Sequence, residues 1–306
     1  MRPGSIACRM ALRSYLATEV ALDHADGLLT RREALRRLGT LGLTAVAASG
    51  LLSACADAAP APAAPSAPPT PAPAAPDYDV AAATARTEAV TFPGGTGSMS
   101  GAFAAAQNPK GAVLVVHENR GLTDHIRAVT GRLAGDGYTS LAPDLLSRAG
   151  GTAGAPDATA ALGAISEADL VADLRSGLAE LGRRASGAGL GAVGFCFGGG
   201  MVWQLLNSGP SDLAAAAPFY GPAPDNPAFT GAKAAVLGIF AEQDTRVNAG
   251  RDTLDRALTA ANVTHEFVTE PGANHAFFND TGPRYNPTAA TDAYRRLLAW
   301  FDTHLG

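Results

Sequence analysis

Three side chains of this chain have the types and order that nucleophilic catalysis requires: Cys196, Asp244 and His275. Cys196 ends the run Leu190-Gly191-Ala192-Val193-Gly194-Phe195-Cys196-Phe197-Gly198-Gly199-Gly200, an apolar stretch that closes in a glycine-flanked turn. Small residues at Gly194 and Gly198 let a strand turn tightly into a helix while the central side chain is pushed outward. The free N–H groups and dipole of the helix that follows favour a thiolate, and later an oxyanion. The same pattern also fits a close-packed strand–helix junction with an inert cysteine, so the turn needs support from elsewhere in the chain.

A thiol nucleophile needs a base to take its proton and a carboxylate to orient that base. Residues 235–240 read as a buried strand followed by Ala241-Glu242-Gln243-Asp244, and residues 266–269 lead into Glu270-Pro271-Gly272-Ala273-Asn274-His275. Both groups thus fall just past the carboxyl end of a strand, in the order nucleophile, acid, histidine that α/β-hydrolases use. Glu242 competes with Asp244 for the acid's place. His117, His125, His265 and His304 have no such third partner, and His24 lies far upstream. No His-x-x-x-His or Cys-x-x-Cys spacing argues for a metal, and no cofactor is implied.

The elements that must position these groups begin at residue 87. Two alternating stretches, 87–92 and 99–106, split by Pro93-Gly94-Gly95-Thr96-Gly97, predict a hairpin. Short continuous apolar runs at 111–116, 138–142, 190–195, 214–219, 235–240 and 264–268 predict strands buried on both faces. Amphipathic stretches at 123–134, 166–181, 197–207, 247–261 and 287–304 predict helices between them, with Thr123 and Ser166 as N-caps. This alternation gives an α/β fold with a mostly parallel sheet, an antiparallel entry hairpin and helices on both faces. Ligands bind beyond the carboxyl ends of such strands, where the Gly/Ala-rich segment 149–164 is expected to form a mobile cover.

The first quarter of the 306 residues does not read as domain material. Thr30-Arg31-Arg32-Glu33 followed by the 15-residue apolar stretch 38–52 resembles a twin-arginine export signal, too short to span a membrane. It lacks a bulky apolar residue at Ala34. Leu52-Ser53-Ala54-Cys55 resembles a lipoprotein site that would lipidate Cys55, although ordinary cleavage near Ala54 fits too. The expected organisation is therefore an export signal at 1–54, an Ala/Pro-rich tether at 55–86 and a catalytic domain at 87–306, in an exported, periplasmic or cell-envelope protein held to a membrane at Cys55. Residues 1–29 exceed what a signal needs and have no assigned role. Removing 1–54 takes 7 of 23 basic and 4 of 28 acidic side chains and moves the net charge from −5 to −8, which argues against a nucleic-acid partner. Of Cys8, Cys55 and Cys196, only the last lies in the expected domain, so no disulfide framework is available there.

The segment from 87 to 306 resembles the dienelactone hydrolase family, on Gly194-Phe195-Cys196-Phe197-Gly198-Gly199, on Asp244 and His275 at similar spacing, and on Val115-Val116-His117-Glu118-Asn119-Arg120-Gly121. The resemblance implies that Glu118 acts on the thiol and that Cys196 rests neutral until substrate arrives. In this topology the oxyanion is held by the N–H groups of Phe197 and Asn119. The family's best known members bind a substrate carboxylate with arginines, one of them four residues after the histidine, where this chain has Asn279. Arg120 and Arg148 are alternative anion-binding candidates, or surface ion-pair residues. Phe277, with Phe195, Phe197, Tyr220 and Phe278, is a candidate for lining an apolar pocket, or core.

Together these features predict a hydrolase of a small ester or lactone working through Cys196, His275 and Asp244 and a thioacyl intermediate. A tethered envelope binding protein on a hydrolase scaffold is the rival reading, disfavoured by the intact set of three. A thiol-peroxidase role lacks a resolving cysteine.

Overall fold

Continuous apolar runs can be satisfied on both faces only in the middle layer of a three-layer structure, and those at 111–116, 138–142, 190–195, 214–219 and 235–240 lie there, whereas 264–268, expected to be buried too, forms a half-exposed strand at the sheet edge. The computed structural model describes residues 4–58, 76–95, 97–209 and 212–306. Its sheet is built from β1 (Glu88–Gly94), β2 (Gly97–Ala104), β3 (Gly111–Val116), β4 (Tyr138–Pro143), β5 (Leu190–Phe195), β6 (Leu213–Phe219), β7 (Ala235–Ala241) and β8 (His265–Glu270). The strand order is β1-β2-β4-β3-β5-β6-β7-β8. β1 and β2 form the antiparallel hairpin, β2 runs antiparallel to β4, and all later pairings are parallel. Every residue of β3, β4 and β7 is buried. This is the α/β-hydrolase fold.

The helices in chain order are α1 (Gly4–Ala25), α2 (Arg31–Thr40), α3 (Ala45–Ala58), α4 (Val80–Ala85), α5 (Asp124–Gly135), α6 (Ala158–Ala164), α7 (Glu167–Arg184), α8 (Phe197–Asn207), α9 (Thr245–Asn248), α10 (Arg251–Ala260) and α11 (Pro287–His304). Ser166 caps α7 by accepting from the Asp169 N–H, as expected. Thr123 makes no such bond at α5. The stretch 247–261 is two helices, because Asp244 caps α9 by accepting the Val247 N–H at 3.2 Å and α10 starts afresh after Gly250.

The segment 149–164 is not an open cover. Asp144 accepts from the Thr152 N–H at 2.7 Å and from its hydroxyl at 2.9 Å, and Asp157 caps α6. The alanines of α6 are strong helix formers once capped.

Within residues 12–54, α1 packs against α6 and α7, α2 against α6, and α3 on α1 and α2. Leu16, Val20, Ala34, Leu38, Ala48 and Leu52 are buried in a cluster continuous with the core of the sheet. Arg13 Nε donates to the Gly163 carbonyl at 3.1 Å, and Thr30 caps α2 by accepting from the Glu33 N–H. Arg31 and Arg32 are exposed. No described helix is long and apolar enough to cross a membrane. The side chain of Cys55 and most of the expected tether, 59–75, lie outside the described residues.

Candidate active site

The turn after β5 puts Cys196 at φ 55°, ψ −118°, a strained conformation for a residue with a side chain. It persists because its neighbours allow no other path. A Cβ at Gly194 would lie 2.2 Å from the Gly198 carbonyl oxygen, and one at Gly198 would lie 2.2 Å from the Val116 oxygen and 2.6 Å from that of His117. The glycines thus let α8 press against β3 and its following loop, which brings Glu118 towards the thiol.

That loop is braced by a residue that sequence reasoning passed over. His117 is fully buried; its Nδ1 donates to the Glu118 carbonyl at 2.7 Å and its Nε2 accepts the Leu145 N–H at 3.1 Å. Both ring nitrogens are thereby used, and burial lowers its pKa, so the ring is neutral. Thr152 adds a second brace by accepting the Leu122 N–H at 2.8 Å.

Asp244 follows β7 and His275 follows β8, and the two meet: His275 Nδ1 donates to Asp244 Oδ2 at 2.5 Å. Both residues are buried. Asp244 is desolvated, yet His275, Arg246 and the Val247 N–H together hold its pKa below the ordinary carboxylate value. The other imidazole nitrogen, Nε2, is buried without a hydrogen-bond partner. The ring of Tyr220, itself at φ 36°, stands edge-on to His275 with centroids 5.2 Å apart and fixes its plane. Glu242 points elsewhere, accepting the Gly272 N–H at 2.8 Å.

Cys196 is 3% exposed. Its sulfur is hydrogen-bonded to Tyr15 Oη at 3.2 Å and lies 3.5 Å from Glu19 Oε2, both on α1. Burial, then the charges of Glu19 and Glu118, push the thiol well above its ordinary pKa. The resting group is therefore the neutral thiol. Glu118 is buried, with Oε2 accepting from Asn279 Nδ2 at 2.5 Å and Oε1 unpaired. Among the described residues, Glu19, Cys196 and His275 bring ligand-type atoms within 4.8 Å of one another, the one group with metal-type donors so placed.

Phe197 is the first residue of α8, so its N–H has no acceptor within that helix. Asn119 is buried with its Nδ2 unpaired. The arrangement brings a thiol and an oriented imidazole together, two of the parts required for acyl transfer.

A model described as the dienelactone hydrolase family matches residues 99–305. The chain belongs to the dienelactone hydrolase family. Over 210 residues it is 35% identical to a Salmonella typhi protein named for carboxymethylenebutenolidase, covering 63% of this chain and 77% of that one. A protein of the same name from Escherichia coli K12 is 32% identical over 217 residues, 66% and 80% of the two chains. A Klebsiella pneumoniae structure named for dienelactone hydrolase superposes with a TM-score of 0.64 at 31% identity, over 71% of this chain and 98% of that one. The family match starts at residue 99, so this dienelactone hydrolase-family chain carries α1, α2 and α3 as additions outside it.

The remaining candidates divide. Arg148 does not face the site: its guanidinium donates to Asp173 Oδ2 at 2.8 and 3.0 Å and lies 3.6 Å from Asp169, a pairing across to α7. That is the surface ion-pair role, set by two acids one turn apart on a neighbouring helix. Arg120 is exposed, and its charge acts on Asp23 of α1. Phe277 is fully buried against Tyr220, with ring centroids 5.3 Å apart, and Phe195, Phe219 and Phe278 stack into one aromatic cluster behind the site. Sequence reasoning missed Tyr15, Glu19 and Arg246 at the thiol. No local pattern links a helix near residue 20 to the short helix α9 at residue 246, and only the fold does so.

Proposed function

We propose that this hydrolase cleaves a small ester or lactone through a covalent thioacyl intermediate. Cys196 Sγ attacks the carbonyl carbon while its proton passes to His275 Nε2; the carbonyl electron pair moves onto oxygen, where the N–H groups of Phe197 and Asn119 receive it. Collapse expels the alcohol oxygen, which takes the proton from His275. Water then attacks the thioester, again giving its proton to His275, and the acid leaves with the thiol restored.

Asp244 holds the Nδ1–H tautomer and stabilises the imidazolium formed in each half-reaction. Glu118, with one oxygen anchored on Asn279 and the other unpaired, is the group that helps draw the proton from Cys196 when substrate is present. The observation that carries the reading is the 2.5 Å His275–Asp244 bond, with His275 Nε2 free of any hydrogen bond and the imidazole within 4.8 Å of the Cys196 sulfur. Replacing Cys196 by Ala is expected to abolish hydrolysis of p-nitrophenyl acetate and simple lactones; full turnover in that variant overturns the mechanism.

We also propose export and anchoring at Cys55. Radiolabelled fatty acid supplied to cells is expected to enter the protein and to be lost from Cys55→Ser; equal labelling of the variant refutes the anchor.

A further inference from the structure

Helix α1 places two side chains against the groups that must react. Glu19 Oε2 lies 3.5 Å from Cys196 Sγ and 3.6 Å from His275 Nε2, touching both ends of the path the proton has to take. Tyr15 Oη adds a hydrogen bond to the sulfur at 3.2 Å. An acyl carbon about to be attacked must stand roughly 3–3.5 Å from the sulfur. These α1 atoms fill that shell.

The helix is held there by charge as well as by packing. Glu19 is 4% exposed and ion-paired through its other oxygen with Arg246, whose guanidinium also lies 4.6 Å over the Tyr15 ring. Just beyond the end of α1, Asp26 pairs with Arg284, whose Nη1 also donates to the His275 carbonyl at 3.4 Å. Both arginines belong to the catalytic domain. His275, Arg246 and Arg284 outweigh the desolvation of Glu19 and hold its pKa below the ordinary value, so it docks as the carboxylate. With α1 in place, the cavity that reaches Phe197, between Leu12 and Tyr15 on one side and Met201, Gln204 and Pro222 on the other, is about 190 Å³. Ligand pockets generally run from about 300 to 1,000 Å³.

We infer that α1 is a built-in inhibitor of this hydrolase, an intramolecular plug whose Tyr15 and Glu19 occupy the acyl position, and that turnover requires its withdrawal. This rests on Cys196 being the nucleophile. The plug blocks approach to the sulfur and sets a carboxylate between thiol and imidazole. It belongs to the additions outside the family match, so it regulates this chain without altering the machinery of the domain. Between α3 and residue 76 the sequence holds only Ala, Pro, Ser and Thr, and cleavage there or at Ala54–Cys55 separates the plug from the domain. Export processing is thus one physical route to release, and a mature chain would be opened by the event that delivers it.

The test uses the full chain with a site-specific protease sequence inserted between Ser66 and Ala67, assayed before cutting and after cutting with removal of the leader in high salt. Two readouts are taken: kcat/KM for p-nitrophenyl acetate, and the iodoacetamide rate at Cys196 located by peptide mass spectrometry. Cutting is expected to raise both by roughly tenfold or more, since each scales with the fraction of open molecules. A synthetic peptide of residues 4–25 is expected to reverse the gain competitively. The uncut double variant Tyr15→Ala, Glu19→Ala reads the same effect without cleavage and is expected to move the same way. Rates that agree within about twofold in all three forms overturn the plug, as does lower activity on cutting, which makes α1 an activating cap. A rise in alkylation with no ester turned over in any form supports the plug and sinks the hydrolase mechanism instead.

Discussion

Replacing Asp244 by Asn tests the proposed mechanism where it is most exposed. Asp244 uses its two oxygens differently: Oδ2 accepts from His275 Nδ1 at 2.5 Å, and Oδ1 accepts the Val247 N–H at 3.2 Å to cap α9. An asparagine can satisfy only one of these as acceptor. If its oxygen keeps the cap, its NH2 faces Nδ1, forces that nitrogen to be the acceptor, and puts the imidazole proton on Nε2, where it cannot receive the thiol proton. If the amide flips, the tautomer is right but the cap is lost, at about 1 kcal/mol. In either orientation the negative charge is gone. With charge centres about 4 Å apart and an effective dielectric constant near 20, the imidazolium formed during attack loses about 4 kcal/mol of stabilisation. At about 1.4 kcal/mol per tenfold, that is roughly a thousandfold in kcat/KM. The wrong tautomer would take it towards the ~10⁴-fold seen when a serine-protease triad loses its aspartate. The assay is p-nitrophenyl acetate hydrolysis by variant and parent in the same cleaved or uncut form, with thermal melts to establish that both fold. A folded variant retaining more than about a tenth of the parent's kcat/KM refutes the role given to Asp244 and removes the electrostatic argument for the pair.

Other consequences follow from single contacts. Gly198→Ala drives a methyl into the Val116 and His117 carbonyl oxygens, neither of which can rotate away; it is expected to destabilise the fold by about 3 kcal/mol, the upper end for overpacking, and an unchanged denaturant midpoint refutes that. Glu270 is buried at the end of β8 with Oε1 unpaired, and burial, then Asp292, raise its pKa to about 7. The folded state thus binds the proton more tightly than the unfolded one, so stability is full below the ordinary carboxylate pKa near 4.5 and falls as pH rises to about 7. Melting at pH 5 and pH 8 should show that loss in the parent and less of it in Glu270→Gln; equal losses would rule the residue out. Because burial, Glu19 and Glu118 raise the Cys196 thiol, its alkylation in the uncut chain should still be climbing above pH 9, whereas a plateau below that pH contradicts a neutral resting thiol.

Much of this architecture is legible in the sequence because parallel strands buried on both faces leave unbroken apolar runs: 111–116, 190–195 and 235–240 match their strands to within a residue. The elbow is legible because φ 55° at Cys196 and the contacts at Gly194 and Gly198 admit almost nothing but the glycines found there. Polar side chains carry less local information. Arg148 reads equally as an anion site or a surface ion pair until α7 supplies Asp169 and Asp173. His117 has its partners on its own loop and at Leu145, a backbone pairing no motif encodes. The leader is the clearest case. Its charge and apolar block read as an export signal, and nothing local says that Leu16 and Val20 face a core while Glu19 between them faces a thiol.

On the export proposed above, the Cys196 thiol faces loss before it meets substrate, because oxidation and alkylation both proceed through the thiolate. Two independent features of this molecule suppress that species. The first belongs to the domain: the charge of Glu118 raises the cost of a thiolate at the elbow, on top of burial that the domain shares with α1. The second belongs to α1, whose Glu19 adds a like charge 3.5 Å away and whose Tyr15 covers the sulfur. They can be separated, because only the second leaves with the leader. Hydrogen peroxide should therefore inactivate the cut enzyme faster than the intact chain, yet still slowly for a thiol, and Glu118→Gln in the cut enzyme should lower the pH at which alkylation sets in. If the cut enzyme instead oxidises as fast as a free thiol, α1 alone protects Cys196, and the resting state cannot be assigned to the buried elbow.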